Sequence, residues 1–95
     1  MKVRFTPAAQ ADLAGIRQWI AHDNPERALS FVRELRSKAL ALGDFPRRHQ
    51  VAAHSASGPV HKFTHGRYGI YYRVLPNRVE IIQVRHSAMD TPQFG

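Results

Sequence analysis

The sequence predicts an α+β fold of order β-α-α-β-β-β, with a helical hairpin packed on one face of a small, mainly antiparallel sheet. Three observations predict it. A short alternating stretch opens the chain, two amphipathic segments each start with a capping residue followed by proline, and the C-terminal half turns to β-branched and aromatic residues with a period of two. The chain of 95 residues is expected to form a single domain over positions 1–95.

In order, residues 2–5 read as a strand with Val3 and Phe5 on one face. Thr6-Pro7 supplies a hydroxyl cap and a proline at the first helical position. Ala9, Leu13, Ile16 and Ile20 then form one apolar stripe, with Trp19 at its flank expected to pack at the edge of the core. Asn24-Pro25 repeats the cap-plus-proline device, and Ala28, Phe31, Val32, Leu35, Ala39 and Leu42 mark the second helix, which Gly43 is expected to stop. Glu34 and Lys38 have the spacing of a helical ion pair. The short connection makes the two helices a hairpin.

Positions 45–59 are small, polar and basic without a clear period, and are expected to be a loop. Arg47, Arg48 and His49 there suit either phosphate contact or plain solvation. Residues 60–65 read as a strand and Gly66 as a turn. The centre of the chain's organisation is the following hairpin. Tyr68, Ile70, Tyr72 and Val74 alternate, Pro76-Asn77 turns the chain through proline's fixed φ and asparagine's tolerance of the left-handed region, and residues 79–84 resume as a strand. Basic groups stand along it: Arg67, Arg73, Arg78, Arg85 and His86.

Composition narrows the function classes. Fourteen Lys and Arg against seven Asp and Glu give a net charge of +7, which points to a polyanionic partner. With no cysteine, disulfides and thiol chemistry are excluded, and a reducing, cytoplasmic setting fits. No run approaches the roughly 18 apolar residues of a membrane span. His61 and His65 lie on an expected strand, where four residues span roughly 13 Å, and lack nearby carboxylates, so no metal site and no cofactor are expected. No nucleophile elbow or glycine-rich phosphate loop is present. RNA cleavage remains the enzymatic reading to weigh: His86 as acid or base, with Lys62, Arg67, Arg73 and Arg85 as cations for a phosphorane. The same side chains also suit a solvated basic sheet face, with His86 capping a strand end.

Beyond these readings, the chain resembles the RelE/ParE superfamily of small bacterial toxins from type II toxin–antitoxin systems. The resemblance rests on the Asn24-Pro25-x-x-Ala28 helix start, the Phe45-Pro46 pair, Tyr72-Arg73-Val74, and His86-x-x-x-Asp90 after an apolar strand. It implies a growth inhibitor held silent by a cognate antitoxin. RelE-like members cut messenger RNA on the ribosome, whereas ParE-like members poison DNA gyrase.

Two departures from the RNA-cleaving pattern favour the second kind. Those toxins generally carry an arginine directly after the aromatic that opens the third strand, where this chain has Gly69 after Tyr68. They also tend to end in a tyrosine, and none follows His86 here. The resemblance thus implies a gyrase poison, with a ribosome-dependent mRNA endoribonuclease as the alternative and a non-toxic nucleic-acid-binding module as the second alternative. Target contacts are expected at Arg85, His86, Met89 and Asp90, with Arg67 and Arg73 as secondary contacts. An antitoxin with an acidic, amphipathic segment is expected to cover the cationic sheet, the helical hairpin, the sheet edge and an apolar groove.

Overall fold

A computed structural model describes residues 1–88 of the chain. Its elements are β1 (Lys2–Phe5), α1 (Pro7–Ala21), α2 (Pro25–Ala41), β2 (Val51–Ser55), β3 (Gly58–His65), β4 (Tyr68–Val74) and β5 (Arg78–His86). The five strands form one sheet of order β1-β5-β4-β3-β2, in which β1 runs parallel to β5 and the other pairs are antiparallel. Met89 and Asp90 lie outside the described residues.

Both helices start as their residue types demand. The Thr6 hydroxyl accepts the Ala9 N–H at 3.2 Å and also donates to the Ile81 carbonyl at 3.0 Å, so one side chain caps α1 and pins it to β5. Asn24 Oδ1 accepts the Arg27 N–H at 3.0 Å and caps α2. The apolar stripes then meet the sheet: Ala9, Leu13, Ile16, Leu35, Ala39 and Leu42 pack against Tyr68, Ile70, Tyr72, Val79, Ile81 and Val84. Each fully buried Leu, Ile or Val of this kind contributes about 1.5–3 kcal/mol. All the helical packing falls on one face of the sheet.

Five strands are present where four were expected. Residues 51–55, read as part of a loop over 45–59, form the edge strand β2, paired with β3 from Val51↔His61 to Ser55↔Gly58. An edge strand is held by backbone bonds and needs no apolar alternation, so its sequence carries little signal. Gly58, at φ 115°, makes the reversal, and the Ser55 hydroxyl donates to its carbonyl at 3.0 Å. The rest of that region is tied down: Tyr72 Oη donates to the Pro46 carbonyl at 2.7 Å, and His61 Nδ1 donates to the His49 carbonyl at 2.7 Å.

Four local expectations change with the structure. Trp19 is 76% exposed rather than packed at the core's edge, because it falls outside the stripe that faces the sheet. Glu34 pairs with Arg27 and with His65 of β3, at 3.2 Å from the latter, instead of with Lys38. No non-glycine residue has a positive φ among the described residues, so the 75–77 turn closes without a left-handed asparagine, by a Leu75 N–H to Arg78 carbonyl bond of 2.8 Å. Gly43 follows α2 as expected but serves close approach: a Cβ there would run into the Met1 carbonyl oxygen.

Candidate functional site

The β4–β5 hairpin sorts the basic residues by parity. Its register pairs Tyr68 with His86, Gly69 with Arg85, Tyr71 with Gln83 and Arg73 with Glu80, with a bulge at Ile82 between the last two pairs. The bulge supplies the extra residue that lets Ile81 and Val84, three apart, both face the core. Lys62 pairs with Tyr71 from the other side, and Arg4 pairs with Glu80. Lys62, Arg73 and Arg85 therefore share the face that carries no helix among the described residues. His86 takes the opposite face, where its ring meets Tyr68 edge-on at 5.1 Å and its Nδ1 accepts the Ala88 N–H at 3.0 Å.

This placement divides the residues expected to act together. Arg85 donates through Nε to Gln83 Oε1 at 3.0 Å on the helix-free face. Arg67 sits at the same end of the hairpin, exposed, with its carbonyl accepting the Ser87 N–H at 2.7 Å. Arg73 lies four residues from Gly69 along β4, roughly 13 Å away at strand spacing. It is tied to Glu80 at 3.1 Å, a carboxylate that also holds Arg78 at 3.2 Å. The Arg73 Nε finds no acceptor among the described residues. Arg67, Arg85 and His86 thus cluster at one end of the hairpin, Arg73 belongs to an ion-pair network towards the other, and Lys62 lies between them.

Gly69 lies beside the flexible end of Lys62. A Cβ there would stand 2.8 Å from Lys62 Cε and 3.2 Å from the Tyr71 ring. The Lys62 stem fills that space, its ammonium 5.5 Å from the Tyr71 ring centroid. The sheet places a lysine from the neighbouring strand where a side chain from position 69 would lie.

On the other side of β5 runs a groove of about 590 Å³, bordered by α1 residues Asp12, Ile16 and Trp19 and by Tyr68, Val84, Arg85 and His86. It exists because β1 pairs with β5 only as far as Phe5↔Ile81, which leaves residues 82–86 as an open strand edge. The Asp12 carboxylate accepts the Val84 N–H of that edge at 2.9 Å. Burial raises the Tyr68 hydroxyl's pKa above its ordinary 10.0, so Tyr68 is a neutral wall of the groove at physiological pH. Neither Trp19 nor the groove was marked by apolar periodicity. Trp19's position one residue off the stripe, beside the strand edge, was the available signal.

Two further clusters are structural in their contacts. His61 stacks on Tyr72 at 5.2 Å, and burial pushes the Tyr72 hydroxyl up to about 12, with the His49 backbone N–H pulling the other way. His65 stacks on Phe31 at 5.8 Å and meets Glu34, whose pKa is lowered by its hydrogen bonds to Arg27 and His65. Among the described residues no group of three or more His, Asp or Glu side chains is arranged to hold a metal ion, and no helix is long and apolar enough to cross a membrane.

A basic sheet face, an apolar groove at the opposite face's edge and a hairpin whose end carries Arg67, Arg85 and His86 define a small protein with two chemically distinct surfaces. The family described as the ParE toxin of the type II toxin–antitoxin system parDE matches residues 3–91, and the chain belongs to it. Among solved structures it is similar to one of the chromosomal ParDE toxin–antitoxin system of P. aeruginosa, with a TM-score of 0.76, 20% identity, and coverage of 90% of this chain and 95% of that chain. It is also similar to the toxin–antitoxin complex RelBE2 of Mycobacterium tuberculosis, with a TM-score of 0.63, 25% identity, and coverage of 90% and 95%. No curated protein matches the chain.

Proposed function

We propose that this ParE-family toxin arrests growth in the cytoplasm by poisoning DNA gyrase, and that a cognate antitoxin keeps it silent. Family membership over residues 3–91 supports the toxin assignment. The observation that carries the choice of gyrase over mRNA is the separation of His86 from two of the cations, Lys62 and Arg73. Cleaving RNA requires a proton-transfer group and phosphate-stabilising cations around one phosphate. Here His86 meets Tyr68 on the helix-bearing face, while Lys62 and Arg73 stand on the other and only Arg85 borders the same groove as His86. In this reading Arg85, His86, Met89 and Asp90 are the main target contacts, with Arg67 and Arg73 secondary, Arg73 being held by Glu80 towards the other end of the hairpin.

The antitoxin reading rests on the groove. An acidic, amphipathic segment laid beside α1 would bury Trp19 and cover the strand edge at 82–86, with its carboxylates towards the toxin's cations. The solved relatives from ParDE and RelBE2 are themselves toxin–antitoxin assemblies, which supports such a partner.

The test combines purified toxin, gyrase and supercoiled plasmid, scored for double-strand breaks after detergent and protease. Linear DNA that needs the toxin and disappears with antitoxin is the expected result. If breaks appear instead only in ribosome-bound mRNA, the gyrase assignment is wrong.

A further inference from the structure

Charge in this molecule is segregated by layer. Across residues 7–44, which hold both helices, five Lys and Arg balance five Asp and Glu. On the helix-free face of the sheet, strand parity and register collect Lys2, Arg4, Lys62, Arg73, Arg78 and Arg85 around one carboxylate among the described residues, Glu80. Glu80 is engaged by Arg73 and Arg78. Lys2, Arg4, Lys62 and Arg85 form no ion pair among the described residues. The excess positive charge of the described chain therefore lies on the sheet face and the connecting turns, not spread over the surface.

We infer that this helix-free face binds the phosphate backbone of duplex DNA directly. The inference deepens the gyrase reading by assigning DNA, rather than the enzyme's protein surface, as what this face touches. Four strands at about 4.8 Å spacing make the patch roughly 14 Å wide, and it runs roughly 20 Å along β5. At 3.4 Å per base pair, that length covers the phosphates of roughly six base pairs.

The face is also short of what a single strand needs. Splayed bases stack on exposed aromatic rings. The one aromatic ring on this face among the described residues is Tyr71, which is 6% exposed and lies beneath the Lys62 ammonium. Cations without a stacking platform suit a regular double row of phosphates. Contact of this kind is independent of sequence and acts by release of counterions.

The test uses the full 95-residue chain and a labelled 20-base-pair duplex, with no gyrase present, and reads affinity by fluorescence anisotropy from 50 to 200 mM salt. The expected slope of log affinity against log salt is roughly −4 to −5, a loss of several hundredfold to about a thousandfold over that range. The triple variant Lys2→Gln, Arg4→Gln, Arg85→Gln should flatten the slope by roughly 2.7. The helical-layer triple Arg17→Gln, Arg33→Gln, Lys38→Gln should leave it unchanged. Equal flattening by both triples, or none by the first, would overturn the inference. So would tighter binding of a single-stranded DNA or RNA 20-mer with the same dependence on the sheet residues. Arg4→Gln alone, an exposed position expected to lower the slope by about 0.9, repeats the test if the triple variant misfolds. Because gyrase is absent, failure here leaves the cleavage assay to judge the proposed function, and failure there leaves the DNA-binding result standing.

Discussion

The two faces of the sheet are built from alternate residues of the same strands, yet they differ in almost every physical property. On one face Tyr68, Ile70, Tyr72, Val79, Ile81 and Val84 are nearly solvent-free under the helices. On the other, the neighbours of these residues are Arg73, Arg78, Glu80 and Arg85, bare of any helix. A period of two lets one hairpin serve stability and partner contact through separate sets of side chains. Changes on one face are then expected to leave the other's role intact. Only Glu80 among the strand acids touches this division, because it both neutralises the basic face and holds two of its arginines.

The sharpest separation comes from a pair of substitutions. Ile81→Ala empties a site with 0% exposure and should cost about 3 kcal/mol in urea unfolding, with the DNA salt slope unchanged. Arg85→Gln should move stability by less than about 0.5 kcal/mol while weakening both gyrase-dependent cleavage and DNA binding. If Ile81→Ala changed the slope, the faces would not be independent.

Glu80→Gln should push the two properties in opposite directions. It leaves Arg73 and Arg78 without their carboxylate, for a loss of about 1–2 kcal/mol at this partly buried site, and it raises the charge of the bare face by one. Unfolding midpoints should fall and DNA affinity at 100 mM salt should rise. A fall in both would place Glu80 in the contact itself.

Tyr72→Phe tests how the covered face holds the 44–50 segment. Removing the hydroxyl leaves the Pro46 carbonyl without its 2.7 Å partner and should cost about 1 kcal/mol. Protease cleavage within 44–50 should quicken, and unchanged cleavage would mean the segment is held by its other contacts.

The smallest effect is expected from His49. Burial first, then repulsion from Arg48 and His61, holds its pKa below the ordinary 6.5. The unfolded chain takes up this proton more readily than the folded one. The stabilising contribution is therefore complete above pH 6.5 and is lost as pH falls through 6.5 towards the lower folded value. Urea midpoints between pH 7.5 and 5.5 should decline less steeply in His49→Gln than in the unchanged chain.

Much of this organisation was legible before any coordinates. Thr6-Pro7 and Asn24-Pro25 mark both helix starts because capping chemistry is local, and the apolar stripes name the core. β2 was not legible, since an edge strand such as Val51–Ser55 is specified by its neighbour's open backbone; Ser57-Gly58 was its one turn signal. The hairpin's basic residues could be named, but their assignment to faces required the register and the bulge at Ile82, which no single residue announces. The three-residue spacing of Ile81 and Val84 was the hint, because a regular strand cannot turn both to one core. Arg73's commitment to Glu80 depends on that same register.

The Asp12 carboxylate on the Val84 N–H has a colloidal consequence. An open strand edge beside an exposed tryptophan is a template on which copies of the same chain can add to one another's sheets. By occupying a donor of that edge, Asp12 caps growth of the sheet from within the monomer. Asp12→Ala should therefore leave dilute protein folded yet make it scatter light and sediment as concentration rises; a variant that stays monomeric at millimolar concentration would show that the edge is guarded by something else.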